Sequence, residues 1–316
     1  MAKSMHLEVI IPTYNRHDSL RRTVMSILNC EQADGLRTTI LVVDNNSSDA
    51  TRETVAQLTA QTGGQVRYYF EGRQGQPAAI NAGIAQTSGD LVAFIDDDEE
   101  VFPDWLRVIH DKFVNEEIDF LTGRCVPVWH GPIPDWLPPS RYGIVGLVDY
   151  GEVPFSITDM NRARMFVGGN SVVRQKRVVQ VGGYSEWLTY GNDAEFGIKL
   201  ANSGATGLYC PELRVYHDIP ISRVTKAYVR KRAMMNHMNT VQIRKRWRTL
   251  DQLVLGFPVR LAYYKVVKLA EQSWKVATGK TGSWEAFDCE LMLWDLLGYA
   301  RGWSEWDRFW GPRLMR

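Results

Sequence analysis

Five consecutive acidic residues, Asp96 to Glu100, follow an apolar run at residues 91–95. Because like charges repel one another, such a cluster is either a solvated acidic loop or a place where a cation binds. Carboxylates at the end of a buried strand are oxygen ligands of the kind that Mg²⁺ and Mn²⁺ prefer. A cation bound there could hold a diphosphate and neutralise the charge that develops as the diphosphate leaves.

Two other polar stretches follow predicted strands, PTYN at residues 12–15 and DNNSSD at residues 44–49. In an open α/β sheet, ligands bind beyond the carboxyl ends of the strands. Asn, Asp and Ser are also common turn and helix-cap residues, so any one of these stretches alone would indicate only a turn. All three at the same edge of a sheet favour a ligand site.

The elements that would position these residues alternate along the first hundred residues. Predicted strands lie at residues 7–12, 38–44, 66–71 and 90–96, and predicted helices at residues 19–30, 49–61 and 78–87. Apolar strands separated by helices are typical of a parallel sheet with both faces covered. The pattern predicts a doubly wound α/β fold.

The pattern changes after this predicted sheet. Residues 122–165 contain many Pro, Gly and Trp residues, and we expect an ordered irregular excursion or a lid there. Regular structure is predicted again from residue 166, and a helix that begins near Asn192 is expected to end at a glycine. Residues 221–316 are predicted to be mostly helical.

The charge of the chain is distributed unevenly. A chain of 316 residues can hold one large domain or two ordinary ones, and its net charge is only +1. Residues 1–220 carry 19 Lys and Arg against 28 Asp and Glu, whereas residues 221–316 carry 18 against 8. Seven of the 11 tryptophans lie between Trp247 and Trp310. The C-terminal region is therefore basic and rich in tryptophan.

Cysteine usage and hydropathy predict the compartment. The four cysteines lie far apart and form no CxxC pair, which favours reduced, buried thiols over a disulfide framework or a zinc site. The apolar stretch near the N-terminus is too short for a signal peptide. No run of 18 uncharged apolar residues predicts a spanning helix. We therefore expect a cytoplasmic protein.

Two common phosphate-binding motifs are absent from the sequence. No GxGxxG follows the first predicted strand and no GxxxxGK[ST] occurs, which disfavours a dinucleotide-binding fold and a P-loop ATPase. A nucleotidyltransferase is expected to have a Gly-rich loop with Lys or Arg after its first strand, but VIIPTYNRHDS at residues 9–19 contains no glycine. No nucleic-acid-binding module is recognisable, so we expect no nucleic-acid partner.

The order of the motifs resembles that of the family 2 glycosyltransferases, which are inverting nucleotide-sugar enzymes of GT-A fold. The resemblance begins with VIIPTYNR, VVDNNSSDAT and NAGIAQTSGDLVAFIDDDEE, continues through VGGNSVV, VGGYSEW and YGNDAEFGIKLANSG, and ends at VYHD. It covers about residues 6–220. It implies a GT-A catalytic domain at residues 1–220, with a nucleotide-sugar half at about 1–121 and an acceptor half at about 122–220. A helical region at residues 221–316 would follow this mixed doubly wound sheet.

The resemblance implies which residues contact the nucleotide. Thr13 and Asp44 match positions that hold the nucleobase and ribose in the family. Tyr14 and Asn15 lie beside Thr13, and Arg73 matches a position that contacts the nucleotide.

The acid cluster matches the DxD motif of the resembled family. Asp96 matches the first acid, which lies near the ribose or the sugar, and Asp98 matches the second, which is the metal ligand. His217 matches a histidine near the metal and the diphosphate. Asp97 fills the variable position of DxD with a third acid, so the choice of metal ligand among the three carboxylates stays open.

Asp193 of GNDAEFG matches the general base of the family, which deprotonates the acceptor hydroxyl. The preceding residue is Asn192, where the family usually has glutamate. Taken without the resemblance, Asp193 would instead be interpreted as a helix-cap residue.

Two further features have simpler interpretations. Glu99 and Glu100 are predicted to be solvated. The glycines of VGGN, Gly168 and Gly169, indicate a tight turn or a close backbone approach, and this segment is a candidate wall of the acceptor site.

The resemblance implies a metal-dependent inverting glycosyltransferase. It would move a sugar from a nucleotide-sugar, in the first place a UDP-sugar, to a hydroxyl of a glycan acceptor, with Mn²⁺ or Mg²⁺ as cofactor. Bacterial members often extend sugars on a polyprenyl diphosphate lipid, which implies a lipid-linked acceptor in polysaccharide assembly. A nucleotidyltransferase and a catalytically inactive nucleotide-sugar-binding scaffold are the alternatives.

The basic tail predicts contact with a membrane surface. Residues 223–248 contain nine Lys or Arg and no acid, interleaved with apolar and aromatic residues. Such a segment gains about 1 kcal/mol per cation near an anionic bilayer, and Trp and Tyr suit the headgroup layer. We expect peripheral association with the inner face of the cell membrane. The alternative is a helical subdomain with solvated cations, and the oligomeric state stays open.

Overall fold

The computed structural model contains two compact units. One comprises residues 1–128 and 148–218, and the other residues 129–147 and 219–316. The residues that the structure describes are 4–158, 165–188, 190–247, 259–278 and 283–309.

The first unit is built on a mixed sheet. Its strands are β1 (Met5–Thr13), β2 (Leu36–Asp44), β3 (Val66–Phe70), β4 (Leu91–Ile95), β5 (Glu99–Val101), β6 (Phe120–Trp129), β7 (Phe155–Ile157), β8 (Asn170–Arg174) and β9 (Gly207–Ile219). Among the described residues these nine strands form one sheet in the order β3-β2-β1-β4-β8-β6-β9-β5, and β7 pairs with β9. Strands β3, β2, β1 and β4 are parallel, whereas β8 runs antiparallel to β4.

Helices cover both faces of this sheet. They are α1 (His17–Leu28), α2 (Thr51–Gln61), α3 (Gln76–Ala85), α4 (Trp105–Asn115), α5 (Gln175–Val181) and α6 (Asn192–Asn202). Side chains alternate along β1, so that Val9 and Ile11 join the core with α1, α2 and α4, while Ile10 joins the core with α3, α5 and α6. The predicted doubly wound α/β sheet is confirmed.

The start of the expected irregular excursion is a strand instead. Strand β6 continues to Trp129, with Leu121 and Cys125 buried in the sheet core. Glycine and proline in this stretch conceal the strand pattern. Gly123 has a packing reason, because a Cβ there would collide with the backbone carbonyl of Leu213 on β9.

Within the described residues, the second unit contains three long helices and two short 3₁₀ helices. These are α7 (Lys226–Trp247), α8 (Val259–Ala277), α9 (Ser283–Phe309) and the 3₁₀ helices Pro139–Val145 and Ile221–Arg223. Helices α7 and α9 approach closely where Gly298 and Gly302 face the backbone carbonyls of Met234 and Met238, so that a Cβ at either glycine would collide with them. The predicted helical C-terminal region is confirmed within the described residues.

Charged groups are buried inside this helical unit. Arg141 donates from Nε to Asp288 Oδ1 at 2.6 Å and from Nη1 to Asp295 Oδ2 at 3.2 Å. His237 Nδ1 lies 3.0 Å from Asp295 Oδ1. Among the described residues, no helix is both long enough and apolar enough to cross a bilayer.

Candidate active site

The carboxyl ends of three parallel strands meet at one edge of the sheet. Thr13 pairs in register with Asp44 at the ends of β1 and β2, and β1 also pairs with β4, after which the chain enters the acid turn, residues 96–98. The three polar stretches predicted to share an edge therefore do so. This is the region of an open α/β sheet where ligands bind.

Asp97 is the innermost carboxyl of the acid turn. It accepts a hydrogen bond at Oδ2 from the Thr13 hydroxyl at 2.7 Å and one at Oδ1 from Arg16 Nη1 at 2.8 Å. Burial raises the pKa of Asp97, and the Arg16 guanidinium partly opposes that shift. Both carboxylate oxygens of Asp97 thus accept hydrogen bonds from protein donors. This favours a role of Asp97 in holding Thr13 and Arg16 in place over a role as a metal ligand.

Arg16 is a site residue that the sequence reasoning missed. Its Nη1 also donates to Asp98 Oδ2 at 2.9 Å, so one guanidinium bridges two carboxylates of the acid turn. The turn that presents Arg16 includes Asn15 in a left-handed conformation with φ of 53°. The signal was present in VIIPTYNR, where Arg16 directly follows the polar strand end.

Asp98 and His217 form the candidate cation site. Strand β5 begins directly after Asp98 and pairs antiparallel with β9, which brings His217 Nε2 within 3.7 Å of Asp98 Oδ1. No three His, Cys, Asp or Glu side chains in the described part of the chain converge as a metal centre. Magnesium is commonly bound by one or two carboxylates and completed by substrate phosphates. The Asp98–His217 pair fits a cation shared with a diphosphate in this way.

Asp96 accepts a hydrogen bond from a helix start, whereas Glu99 is buried. Asp96 Oδ1 accepts a hydrogen bond from Gln76 Nε2 at 2.8 Å at the start of α3. The prediction that Glu99 is solvated was wrong, because its residue surface is only 2% exposed. Burial, and then the charges of Asp96 and Asp98, raise the pKa of Glu99 well above its usual range. Its neighbour Glu100 forms an ion pair with Arg22.

Asp44 is held rigidly at the end of β2. Its Oδ2 accepts a hydrogen bond from the Tyr68 hydroxyl at 2.7 Å, and its Oδ1 accepts the Ser47 backbone N–H at 2.9 Å. Burial and the Asp44 carboxylate raise the pKa of Tyr68 to about 12. The buried Asp44 is therefore oriented at the strand end by groups of the protein itself.

The other predicted nucleotide contacts lie on the loops around this edge. The Asn15 side chain accepts the Ser48 backbone N–H at 2.7 Å and so ties the first polar loop to the second. Arg73 Nη1 donates to Glu186 Oε2 at 2.9 Å, and Arg73 also pairs with Glu71. Tyr14 is 50% exposed at the rim.

Asp193 lies in the first turn of α6, as expected for a residue that opens a helix. Asn192, where the resembled family usually has glutamate, is the first residue of α6, and its Oδ1 accepts the Asp193 backbone N–H at 2.9 Å. Asn192 is buried, and its Nδ2 has no hydrogen-bond partner in the described part of the chain.

The family model of glycosyl transferase family 2 matches residues 8–176, which is more than half of the chain. The chain belongs to this family. The match includes Thr13, Asp44 and the acid turn and ends before Asp193 and His217. The roles of all these residues remain predictions. The resemblance inferred from the order of the motifs is confirmed.

Two of the similar relatives of this family 2 glycosyltransferase have a lipid carrier in their names. A GalNAc(5)-diNAcBac-PP-undecaprenol beta-1,3-glucosyltransferase of Campylobacter jejuni is 34% identical over 122 residues, 38% of this chain and 38% of that protein. A glucosyl-dolichyl phosphate glucuronosyltransferase of Haloferax volcanii is 28% identical over 185 residues, 57% of this chain and 56% of that protein. The matches span less than two thirds of these relatives' own length.

Solved structures share the fold at low sequence identity. The mannosyltransferase PcManGT from Pyrobaculum calidifontis, in complex with GDP-Man and Mn²⁺, has a TM-score of 0.67 and 16% identity. That similarity covers 96% of this chain and 88% of PcManGT. S. aureus TarS in complex with UDP has a TM-score of 0.56 and 16% identity, covering 77% of this chain and 70% of TarS. The predicted GT-A fold is confirmed.

Proposed function

We propose that this family 2 glycosyltransferase moves a sugar from a nucleoside-diphosphate sugar to a hydroxyl of a glycan acceptor with inversion at the anomeric carbon. The observation that carries the proposal is that polar residues at three strand ends lie together. Thr13, Asp44 and the acid turn share one edge of the sheet, and His217 lies beside Asp98. This arrangement suits a ligand that has a nucleoside at one end and a diphosphate at the other.

Asp98 and His217 are the residues that would hold Mn²⁺ or Mg²⁺. When bound, such a cation offsets the negative charge on the departing diphosphate. Asp97 does not need to coordinate it, since Thr13 and Arg16 satisfy its oxygens. Arg16 adds a permanent positive charge beside the same site, which favours an anionic ligand there.

Asp193 would act as the general base. The acceptor oxygen attacks the anomeric carbon, the bond from that carbon to the diphosphate oxygen breaks, and the acceptor proton moves to the Asp193 carboxylate. Inversion requires attack from the face opposite the leaving group, so base and diphosphate must lie on opposite sides of the sugar. A carboxylate that opens a helix separate from the acid turn is suited to that requirement.

The substrates are proposed from the similar proteins. Complexes with GDP-Man and with UDP exist among proteins of the same fold, and we propose a UDP-sugar for this chain, held by Thr13, Tyr14, Asn15, Asp44 and Arg73. The named relatives carry undecaprenol and dolichyl phosphate in their descriptions. We propose a glycan acceptor linked to polyprenyl diphosphate, in polysaccharide or glycoconjugate assembly.

A lipid-linked acceptor would require contact with a membrane surface, and residues 223–248 stay our proposed contact. Some of their cations also act inside the helical unit: Arg230 pairs with Glu290, and Lys226 lies over the rings of Trp136 and Phe287. Arg248 and the side chains of Arg244 and Lys245 lie outside the described residues.

Helix α8 of the same unit carries an apolar face of its own. Tyr263, Val266, Val267 and Trp274 recur at helical spacing and are all exposed. Trp and Tyr on an exposed apolar face are typical of helices that lie in the headgroup layer. We propose that this face adds to the basic segment in binding the inner face of an anionic membrane.

A donor panel tests the proposed function. UDP- and GDP-sugars are incubated with Mn²⁺, Mg²⁺ or EDTA, and release of nucleoside diphosphate is measured with and without a polyprenyl-diphosphate-linked glycan. We expect metal-dependent release from at least one donor, increased by the acceptor. Release of pyrophosphate from a nucleoside triphosphate and a sugar phosphate, with no reaction of any nucleotide-sugar, would instead establish a nucleotidyltransferase.

A further inference from the structure

Two adjacent glycines lie between the acid turn and the proposed base. A Cβ on Gly168 would lie 3.0 Å from Cβ of Asp193, which is closer than nearly all real contacts of this kind. A Cβ on Gly169 would lie 2.5 and 2.6 Å from the two carboxyl oxygens of Glu99. One glycine therefore contacts the helix that carries the base, and the next contacts the residue directly after the acid turn.

Glu99 cannot move away from Gly169 easily. Its Oε2 accepts the backbone N–H of Asp96 at 3.1 Å, and the Cys125 thiol lies 3.8 Å from its Oε1. The residue is almost completely buried, so a displaced carboxyl would have to displace the acid turn or strand β6. Glu99 thus connects the position of Gly169 to the backbone of Asp96.

The glycine segment is itself anchored by Asn170, which has no exposed surface. Asn170 Oδ1 accepts the indole N–H of Trp105 at 3.0 Å, and its Nδ2 donates to the carbonyl oxygens of Leu213 at 2.8 Å and Arg124 at 3.2 Å. Asn170 also pairs with Ile95 in the sheet, one residue before the acid turn. Because Asn170 holds the segment in place, a methyl group added at either glycine will displace the side chain that it meets, Asp193 for Gly168 and Glu99 for Gly169.

We propose that Gly168 and Gly169 are positioning residues that set the separation between the acid turn and Asp193, with Glu99 as the buried contact on the acid-turn side. The inference rests on the proposed function for the roles of Asp193 and Asp98. Side chains added at these two adjacent positions would then disturb two different steps. A side chain at position 168 would disturb the proton transfer, and one at position 169 would disturb the binding of cation and diphosphate.

The test uses Gly168→Ala and Gly169→Ala with Gly143→Ala as control, because a Cβ on the exposed Gly143 meets nothing within 4 Å. Binding of UDP and of GDP in the presence of Mn²⁺ is measured by calorimetry, together with kcat and KM. We expect Gly168→Ala to lower kcat by roughly tenfold, less than for a full 1 Å misplacement, because Asp193 must shift by only a few tenths of an ångström, with nucleotide affinity changed less than twofold. Gly169→Ala should weaken Mn²⁺-dependent nucleotide binding at least tenfold, and Gly143→Ala should change neither.

The Glu99→Ala background provides a second measurement that needs no turnover. Removing the Glu99 carboxyl makes room for the methyl group that Gly169→Ala introduces. Gly169→Ala should therefore change nucleotide affinity and melting temperature less in the Glu99→Ala background than in the wild type. Equal effects in both backgrounds would overturn the proposed contact. Parallel losses of nucleotide binding, kcat and melting temperature in both glycine variants would show a purely structural role.

A failure of the proposed function would give a different set of results. The wild-type protein would then bind neither nucleotide in the presence of Mn²⁺ and release no nucleoside diphosphate from any donor. Gly169→Ala would still lower the melting temperature less in the Glu99→Ala background than in the wild type.

Discussion

The two compact units bury carboxyl groups in different settings. In the sheet unit, Asp44 and Asp97 lie at strand ends, where hydroxyl, backbone N–H and guanidinium groups from neighbouring loops hold them. In the helical unit, Asp288 and Asp295 lie on one helix, α9. Both form ion pairs with Arg141, which is distant from them in the sequence. The carboxylates at strand ends lie next to a surface that a ligand can reach. The carboxylates packed between helices are enclosed by the helices.

This difference separates two kinds of mutational effect. Substitutions in the acid turn should change ligand binding and turnover while the protein stays folded. Substitutions at the buried ion pairs of the helical unit should change the free energy of unfolding.

The largest effect on function is expected for Asp98→Asn. The amide keeps the size of the side chain but removes the charge that would bind a cation, and Asp97 still holds Arg16. We expect no measurable transfer and no Mn²⁺-dependent UDP binding in calorimetry, with an unchanged melting temperature. Asp111→Asn, on the exposed side of α4, is the matched control and should bind like the wild type. Unchanged UDP affinity in the presence of metal for Asp98→Asn would disprove the assignment.

Asp193→Asn tests the other side of the same site. Asparagine keeps the shape and hydrogen bonding but cannot accept a proton, so kcat should fall by about 10²–10⁴-fold. The affinity for nucleotide with Mn²⁺ should stay within twofold of the wild type, which separates this variant from Asp98→Asn. More than about a tenth of wild-type kcat would be outside the range expected for loss of a general base.

Arg141→Met tests the contrasting region. It leaves the buried carboxylates of Asp288 and Asp295 without their guanidinium partner, and removing one member of such a pair typically costs about 3–5 kcal/mol. We expect the urea midpoint of the helical unit to fall accordingly. Adding Asp295→Asn should restore part of the loss, because the double variant no longer buries the Asp295 charge without its guanidinium partner. Equal destabilisation in the single and double variants would argue against the network.

Much of the sheet unit was predictable from short-range sequence patterns. Apolar runs marked β1, β2 and β4, and the rule that ligands bind at their carboxyl ends brought Thr13, Asp44 and Asp98 together from the sequence alone. Arg16 was not singled out and Glu99 was wrongly predicted to be solvated, because their surroundings depend on a left-handed turn at Asn15 and on strand β5. Neither feature leaves a periodic signal in the sequence.

The helical unit was predictable only at the level of secondary structure. Its ion pairs join residues 147 and 154 positions apart, and no motif marks such distant partners. The close approach of α7 and α9 depends on Gly298 and Gly302, which on their own would be interpreted as weak positions in a helix. Only the packed structure shows that these glycines face backbone carbonyls.

The smallest effect is expected from the membrane surface, where single residues contribute little. Val266→Glu places a charge in the exposed apolar face of α8, while Val179→Glu places the same charge at an exposed valine of α5 in the sheet unit. Both variants change the net charge equally, so overall electrostatic attraction to an anionic bilayer is matched. In flotation with anionic liposomes at low salt, we expect Val266→Glu to reduce the bound fraction several-fold and Val179→Glu to leave it near that of the wild type. Equal reduction in both variants would assign the attraction to net charge alone. Absence of flotation in the wild type, combined with efficient transfer to a soluble acceptor, would contradict the membrane proposal and leave the nucleotide site intact.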